Sequence, residues 1–477
     1  MIIVSDNGKA DSLAVLSANP SESVFIEADD DAALRRLRRE CETYDPAAHD
    51  GCQLECYLLL QDAASLWIIQ TMGLATELAQ KVDLMVSTPE DLMAKTLLVR
   101  LPGKVTPFPP LDRQPIDRQS PSTVHLVIFG STAMAEALAI NAALVAHYPN
   151  YCRDTHLRTR ITIIDENIDR LRERMTQRYG HLFEHSYLRT LDLDVAEPHC
   201  ALRHPWYEGR RKDFVDVEWE FVKASAGNEA VRQKLAEWAC GSRQLTVAVC
   251  GDSASGNIAT ALTLPEPLST QGIPVLCHTR QRSLLELAAQ GSVLPFSVAD
   301  CSIDTLRILK EMAMRVNYVY NHCFSLPPEA PVTAPANVDV AEMRRQWAAL
   351  GSFSKRNSNV FNAMTLGTKM HSAGITPDDW KAYYALSREQ IESLAEVEHN
   401  RWSVEELIQG YRPVTDDEQA SVERDLSLKR QLRDHKIHYD LRAFDDLRVD
   451  STGKVVNVYD LALTQGIPLI IKTCISD

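Results

Sequence analysis

The feature that most constrains the fold is a repeated alternation of short apolar strands with longer helical segments across residues 122–325. Residues 124–129 (VHLVIF) form a continuous apolar run, Gly130 follows as a turn, and an alanine-rich helix is predicted over 133–147. The next apolar run, RITII, ends at Asp165. Strands that alternate with helices in this way are typical of a parallel sheet covered by helices. We therefore predict a doubly wound α/β domain in this part of the chain.

The same alternation of strands and helices is found in the N-terminal region and continues through residues 122–325. Strands are predicted at 24–27, 56–60, 83–87, 96–100, 187–193, 245–250, 274–278 and 292–296. Helices between them are predicted at 32–41, 65–80 and 167–179. The shared order suggests a degenerate duplication, in which a tandem pair of Rossmann-like halves forms the α/β part of the protein. Segment 194–240 is polar and carries Trp206, Trp219 and Trp238, so we predict that it is an insertion.

Proline-rich stretches mark the predicted domain boundaries. Residues 102–121 contain six prolines and little apolar periodicity, which favours a linker. A second Pro/Ala stretch covers 327–335, and the remainder is predicted to be mainly helical, with helices at 340–350, 359–372, 376–385, 388–409 and 421–435. The predicted units are 1–105 (α/β half), 106–121 (linker), 122–325 (α/β domain), 326–390 (helical connector) and 391–477 (mainly α domain).

Composition narrows the classes of partner. The chain has 50 Lys and Arg against 65 Asp and Glu, a net charge of −15, which argues against general binding to nucleic acid or anionic lipid. No apolar run reaches the roughly 20 residues needed to cross a bilayer, so we expect no membrane insertion. The start of the chain lacks a signal-peptide pattern, which predicts a cytoplasmic protein. The eleven cysteines are scattered, as expected for reduced thiols rather than a metal site.

The turn after residues 124–129 carries a partial glycine pattern. In a Rossmann-like βαβ unit, glycines let the backbone approach a pyrophosphate, and a carboxylate at the end of the second strand binds the ribose. Here Gly130 is the first glycine, Ala135 replaces the third, and Thr132 stands where the second is expected. Asp165 is the candidate carboxylate. The pattern predicts a nucleotide site, while a sheet of this kind that binds nothing remains the alternative.

A second strand-to-helix turn strengthens this prediction. It follows residues 245–250, and the residues that carry its pattern are Gly251, Asp252, Asn257 and Arg280. Together with the first turn, this order resembles the TrkA-N (RCK) domain of potassium-transport regulators over about 122–310. The resemblance implies NAD(H) or another adenine nucleotide as cofactor, a homo-oligomer, and a channel or other protein effector as partner. The alternative is that the Gly/Ser-rich turn only caps its helix.

The C-terminal region holds a dense group of polar and aromatic side chains. The run EHNRW (398–402) lies in a predicted helix, GYRP (410–413) ends it, and KIHYDL begins at 436. This order resembles the RyR domain, the small helical repeat named after ryanodine receptors, from about Leu394 to the C-terminus. We predict a pocket in which an indole stacks on a base and arginine binds phosphate, lined by His399, Arg401, Trp402, Arg412 and His438. The alternative is structural: Trp402 lies in the core, and His399 and Arg401 hold the following loop.

The leading functional hypothesis is a cytosolic, nucleotide-responsive regulatory or sensor protein, in which binding of a small nucleotide changes domain packing. The sequence contains no convincing acid–base pair or metal cluster, so no catalytic or metal-ligating residue is assigned. One alternative is an enzyme: a hydrolase of nucleotide signals, or an NAD(P)-dependent oxidoreductase with His278, His322 or Tyr318 as proton donor. Another is a structural oligomeric scaffold. The family likeness also suggests a role in bacterial conflict, such as antiphage defence.

Overall fold

The computed structural model describes residues 1–6, 22–49, 51–195, 197–206, 212–287, 293–327, 330–449 and 455–472. An eight-stranded sheet and a four-stranded sheet are surrounded by helices, and a helical region follows them in the chain. The predicted α/β class with parallel-rich sheets is therefore confirmed.

The strands, in chain order, are β1 Ile2–Ser5, β2 Val24–Glu27, β3 Leu54–Leu59, β4 Val82–Ser87, β5 Val124–Phe129, β6 Thr159–Asp165, β7 Tyr187–Asp192, β8 His199–Arg203, β9 Val217–Lys223, β10 Gln244–Val249, β11 Val275–His278, β12 Val293–Phe296, β13 Arg412–Pro413 and β14 Ile437–His438.

The α-helices are α1 Asp30–Thr43, α2 Ala63–Met72, α3 Thr76–Lys81, α4 Pro89–Leu98, α5 Ala133–Val145, α6 Asn150–Arg153, α7 Ile168–Arg178, α8 Gly180–Glu184, α9 Glu229–Ala239, α10 Ala254–Leu262, α11 Glu266–Thr270, α12 Arg282–Leu287, α13 Asp304–Ser325, α14 Val340–Ala349, α15 Phe353–Ser372, α16 Arg388–Ile408, α17 Asp416–Arg424, α18 Leu428–Asp434, α19 Asn457–Gln465 and α20 Ile467–Ile471. Short 3-10 helices span Pro46–His49, Val298–Asp300, Pro377–Ala385 and Phe444–Asp446.

The eight-stranded sheet has the order β12-β11-β10-β5-β6-β9-β7-β8. All neighbouring strands are parallel except β7 and β8. In β5, Leu126 and Ile128 face one apolar core, while Val127 and Phe129 face another on the opposite side. Because both faces are buried, the strand is apolar almost throughout, which is why it is so conspicuous in the sequence.

Residues 194–240, which the sequence suggested to be an insertion, supply an inner strand of this sheet. Strand β9 lies between β6 and β7 and pairs with both in parallel. Its Trp219 and Phe221 are buried in the main core, whereas Trp206 is exposed. The polar appearance of the segment comes from β8, whose residues are exposed, and from charged residues that β9 buries on its other face, such as Glu220.

The four-stranded sheet is fully parallel, with the order β2-β1-β3-β4. Its inner strand β1 was not predicted, although all four of its residues are buried. The strand predicted at 96–100 is wrong, because these residues end helix α4. Thr88 caps that helix and Pro89 occupies its first turn, a combination that favours helix initiation. The helix predicted at 65–80 is divided into α2 and α3 by Gly73, whose φ is +74°.

The proline-rich segment 102–121 is irregular but packed against the rest of the protein. Phe108, Leu111 and Ile116 are buried in the same core as β5 and α5. The carboxylate of Asp112 accepts hydrogen bonds from Arg100 and His371 at 2.9 Å each. The prolines prevent regular secondary structure here, but the segment still packs against the core. It is therefore not a free spacer.

The helical region is organised around α13, a 22-residue helix that packs on α14, α15 and α19. Helix α16 packs on α15, α19 and α5, and so joins this region to the larger sheet. The helix predicted at 421–435 is two helices, α17 and α18.

Candidate functional site

The first candidate site lies at the carboxyl ends of β5, β6 and β10. Strand β5 pairs with β6 on one side and β10 on the other, and the three strands are parallel. Gly130, Asp165 and Gly251, each at or just beyond the end of one of these strands, therefore lie at the same edge of the sheet, as predicted. In open α/β sheets, ligands bind at this edge, where the strand order reverses. We call this position the crevice.

Gly130 allows two loops to approach closely in the crevice. Its φ is +113°, and a Cβ atom there would lie 2.6 Å from the backbone oxygen of Cys250. The hydroxyl of Thr132 donates to the same oxygen at 2.6 Å and accepts the backbone N–H of Ala135 at 3.3 Å. Thr132 thus caps α5 and ties it to the end of β10. Its hydroxyl is therefore engaged within the turn.

The second turn of the crevice is held by Asn257. Its Oδ1 accepts the backbone N–H of Gly251 at 2.8 Å, and its Nδ2 donates to the backbone oxygens of Gly251 at 2.9 Å and His278 at 2.8 Å. Asn257 is buried, whereas Asp252 is exposed. Asn257 therefore acts as a clamp on the Gly251 turn, and Asp252 is presented to solvent at the mouth of the crevice.

Asp165 and Arg280 occupy the ends of strands on either side of the crevice. The partly buried Asp165 ends β6, and its Oδ1 accepts the backbone N–H of Asn167 at 2.7 Å. Arg280 follows β11 and is exposed. The carboxylate and the guanidinium lie beyond strands on opposite sides of β5. The crevice therefore has a positioned carboxylate on one side, and the end of β11 followed by Arg280 on the other.

The three alternative proton donors, His278, His322 and Tyr318, lie on two elements of the structure. His278 ends β11, where its ring stacks on Phe296 at 5.3 Å between centroids and burial lowers its pKa. Tyr318 and His322 belong to α13, which packs on α14, α15 and α19.

The second candidate site, in the C-terminal region, forms only in part. The rings of His399 and Trp402 have centroids 5.4 Å apart, and Trp402 meets His438 edge-on at 4.8 Å. Gly410, with φ +83°, follows the end of α16, as predicted from the sequence, and β13 then pairs with β14. The structure therefore brings the rings of His399, Trp402 and His438 together.

The two histidines of this group are held by different partners. His399 Nε2 lies 2.8 Å from the backbone oxygen of Arg442, and its Nδ1 lies 3.5 Å from Asp460. Burial acts to lower the pKa of His399, but the interaction with Asp460 outweighs it and the pKa is raised. His438 Nδ1 accepts the backbone N–H of Asp440 at 3.2 Å, and burial lowers the pKa of His438 well below its ordinary range.

Arg401 and Arg412, which were predicted to join this group, each pair with carboxylates. Arg401 is buried and forms ion pairs with Glu398, at 2.7 Å, and with Glu405. Arg412 pairs with Glu418 at 2.8 Å. Residues three and four apart share a helix face, so Arg401 meets Glu398 and Glu405, whereas His399 meets Trp402. The indole and the guanidinium thus lie on different faces, and no pocket for a base and a phosphate is formed from all five residues.

The buried partners of Arg401 were not predicted from the sequence. Lys369, on α15, is buried and bonded to Glu398, which completes a group that we call the α16 ion cluster: Lys369, Glu398, Arg401 and Glu405. Burial acts to raise the pKa of Glu398, but Arg401 and Lys369 lower it to about 2. The spacing of Glu398, Arg401 and Glu405 on one helix was the signal that could have revealed this cluster.

The geometry described above is the support for a ligand at either candidate site. Among the described residues, no group of three or more His, Cys, Asp or Glu side chains is placed to hold a metal ion. In the same part of the chain, none of the helices combines the length and apolar character needed to cross a membrane. No protein-family model, curated protein or solved structure matches this chain.

Proposed function

We propose that this protein is a nucleotide-responsive regulatory protein whose crevice binds NAD(H) or another adenine nucleotide. The observation that carries the proposal is the placement of Gly130, Gly251 and Asp165 at one edge of a parallel sheet where the strand order reverses. The close packing at Gly130 leaves backbone rather than side chain at the base of the crevice. That arrangement suits a pyrophosphate, and a carboxylate at the next strand suits a ribose.

The larger sheet supports a Rossmann-like, TrkA-N-like interpretation of residues 122–310. The order of β11, β10, β5 and β6, with crossover helices α5 and α10 starting at the crevice, is the arrangement that such an interpretation requires. The four-stranded sheet is the candidate degenerate half, and the region after Leu394 remains an RyR-like candidate. A homo-oligomer, a channel or other protein effector, cytoplasmic location and an antiphage role are further predictions of the same resemblances.

The packing of α5 offers a route from ligand to response. The helix starts at the crevice, where Thr132 caps it. Along its length it packs on α4 of the smaller sheet and on α15 and α16 of the helical region. A ligand that holds the first turn of α5 would therefore favour one arrangement of all three parts. Such a population shift requires no chemical step.

The proposal is tested by calorimetric titration of the full chain with NADH, NAD+, ATP and ADP. We expect at least one of them to bind, and Asp165→Ala to weaken that binding by about 1–3 kcal/mol, the range for leaving a buried polar partner unpaired. Glu166→Ala, which removes an adjacent exposed carboxylate, is the matched control and should bind as the wild type does. Identical titrations for the wild type and Asp165→Ala would remove Asp165 from the site. Absence of binding by all four nucleotides would overturn the proposal.

A further inference from the structure

A group of basic side chains lies on the surface of the helical region, where the start of α15 and helix α18 come together. We call it the α18 basic cluster, and it consists of Lys355, Arg430, Arg433 and Lys436. Lys355 is the third residue of α15, the two arginines belong to α18, and Lys436 follows that helix. The first three residues are exposed and Lys436 is partly buried. The cluster is therefore open to solvent, and a ligand needs no internal cavity to reach it.

The backbone and its neighbours position the basic groups of α18. Residues three apart share a helix face, so Arg430 and Arg433 lie on the same side of the helix. The Nζ of Lys436 donates to the backbone oxygen of Thr71 on α2 at 2.9 Å, and it lies 4.3 Å from the centroid of the Tyr411 ring. Arg433 also interacts with the side chain of Tyr411. Lys436 is thereby held beside Arg433.

Lys436 occupies an unusual backbone conformation. Its φ is +59°, and among the described residues it is the one non-glycine residue with a positive φ. The position lies just beyond the end of α18, where a left-handed residue is common but is usually glycine. A lysine costs roughly 1–2 kcal/mol more than glycine in this conformation. Strain of this kind is often found at functional sites, and here it accompanies a side chain that joins α2 to the cluster.

Lys355 has cations rather than carboxylates as its charged neighbours. Burial of its amine lowers the pKa of Lys355, and the charges of Arg433 and Arg430 lower it further. Within the described part of the chain, none of these three residues forms an ion pair. Cations that approach one another without an acid between them are unfavourable, because each disfavours the charged form of the next. An anion bound among them would remove this repulsion.

The nearest carboxylates leave the cluster with an excess of positive charge. Arg433 and Lys436 both act on Glu406, which is buried. Burial and the charge of Glu405 raise the pKa of Glu406 to about 7, so it carries only part of a negative charge at neutral pH. Asp434 follows Arg433 in the chain and is exposed. The four cations of the cluster therefore outnumber the carboxylates that face them.

We propose that the α18 basic cluster binds a small anion with two or more neighbouring negative charges, either free pyrophosphate or the diphosphate end of a nucleotide. The guanidinium groups of Arg430 and Arg433 suit phosphate oxygens, since each can donate two parallel hydrogen bonds, and Lys355 adds a point charge from α15. The chain has a net charge of −15, which opposes a long polyanion such as nucleic acid. The site shares no residue with the crevice and does not depend on a nucleotide there.

The test is a calorimetric titration of the full chain with inorganic pyrophosphate and with ADP at low ionic strength. We expect saturable binding of pyrophosphate that weakens as NaCl is added, because the cluster is open to solvent. ADP that binds no more tightly than pyrophosphate would assign the site to the free anion. Tighter, Lys355-dependent binding of ADP would assign it to the diphosphate end of a nucleotide. Absence of saturable binding by both probes would overturn the proposal.

Lys355→Gln locates the binding. It should weaken pyrophosphate binding by about tenfold or more, because it removes one of the converging charges. Lys104→Gln is the matched control, since it removes the same charge from an exposed lysine outside the cluster, and it should bind as the wild type does. Wild-type affinity in Lys355→Gln, or equal weakening by both variants, would overturn the proposal.

Thermal denaturation gives a second measurement. Without an anion, Lys355→Gln should be at least as stable as the wild type, because the substitution relieves repulsion from Arg430 and Arg433. Pyrophosphate should raise the Tm of the wild type and of Lys104→Gln more than that of Lys355→Gln, since a ligand stabilises the folded state in proportion to its occupancy. Equal increases in Tm for all three proteins would contradict a site at Lys355.

The outcomes separate the cluster from the crevice. Binding of ADP that depends on Lys355 but not on Asp165 would support the cluster. Binding that depends on Asp165 but not on Lys355 would support the crevice and overturn the cluster proposal. Lys355→Gln should leave any Asp165-dependent binding of NADH unchanged, so failure of one proposal does not decide the other.

Discussion

The crevice and the α16 ion cluster are both rich in polar groups, but they use them in opposite ways. In the cluster, each carboxylate of Glu398 and Glu405 meets Arg401, and Lys369 adds a second cation to Glu398. All four residues are buried. In the crevice, Asn257 and Thr132 fix the backbone, and Asp252 and Arg280 remain exposed. The polar groups of the cluster pair with one another inside the protein, whereas the charged side chains of Asp252 and Arg280 lie at the surface.

This difference shows why a dense polar run is a poor guide to a binding site. The run from Glu398 to Trp402 contains the side chains expected of a nucleotide pocket, but helix geometry sends them to two faces. One face is completed by Lys369 from α15, and the other by aromatic residues such as Phe444, 5.9 Å from His399. A charged group that already has a buried partner has little left to offer a ligand.

The largest expected effect comes from breaking the α16 ion cluster. Arg401→Leu leaves Glu398 and Glu405 buried with only Lys369 to compensate them, so we expect a loss of about 3–5 kcal/mol in the free energy of unfolding. Urea denaturation measures it. A loss below about 1 kcal/mol would contradict the view that the cluster stabilises the fold.

A smaller effect on stability is expected for substitution of Glu406, which follows Glu405 in α16 but is not a member of the ion cluster. Glu406 is buried, and its Oε2 has no hydrogen-bond partner. Burial, together with the charge of Glu405, raises the pKa of Glu406 to about 7. Since the folded state holds this proton more tightly than the unfolded state, the contribution of Glu406 is complete below the unfolded pKa of about 4.3 and is lost as pH rises through 7.

The wild type should therefore lose on the order of 2 kcal/mol of stability between pH 5.5 and 8, and Glu406→Gln should not show this decline. The measurement is urea denaturation at both pH values. Glu418→Gln is the matched control. The hydrogen bond with Arg412 lowers the pKa of Glu418 to about 2, although partial burial acts in the opposite direction. The contribution of Glu418 to stability should therefore not change between pH 5.5 and 8. A wild-type protein with equal stability at both pH values would argue against a protonated Glu406.

A third prediction concerns Asn257→Ala, which tests the clamp on the Gly251 turn in the crevice. It removes the three hydrogen bonds that hold the Gly251 turn and the end of β11, and we expect a loss of about 1–2 kcal/mol in the free energy of unfolding. Any nucleotide bound in the crevice should also bind more weakly. Asn359→Ala is a suitable control, because its side-chain nitrogen donates to a carbonyl of its own helix, Lys355. Equal stability of the two variants would show that the clamp is unnecessary.

The smallest effect is expected for Arg412→Leu. Its ion pair with Glu418 is 33% and 24% exposed, and such pairs contribute less than about 1 kcal/mol. A loss as large as that of Arg401→Leu would mean that burial does not explain the contrast between the two arginines. The same denaturation series reports both values.

The sequence predicted the features that depend on neighbouring residues. The apolar runs of β5, β6 and β10, the turn at Gly130 and the carboxylate of Asp165 were recognisable because each is a short pattern with a local physical cause. Strand β1 and helix α13 were not predicted. The end of α4 was assigned to a strand because a short apolar run fits a strand and a buried helix equally well.

Only the tertiary structure decided which polar groups meet. Arg401 was assigned to a ligand pocket because its partners Glu398 and Glu405 were not considered and Lys369 is distant in the chain. Strand β9 was assigned to an insertion because nothing local to it indicates that β6 and β7 lie on either side. The proline-rich segment was assigned to a linker because the core that buries Ile116 comes from other parts of the chain. Local sequence determines backbone conformation and periodicity, but burial and pairing depend on residues that only the completed fold brings together.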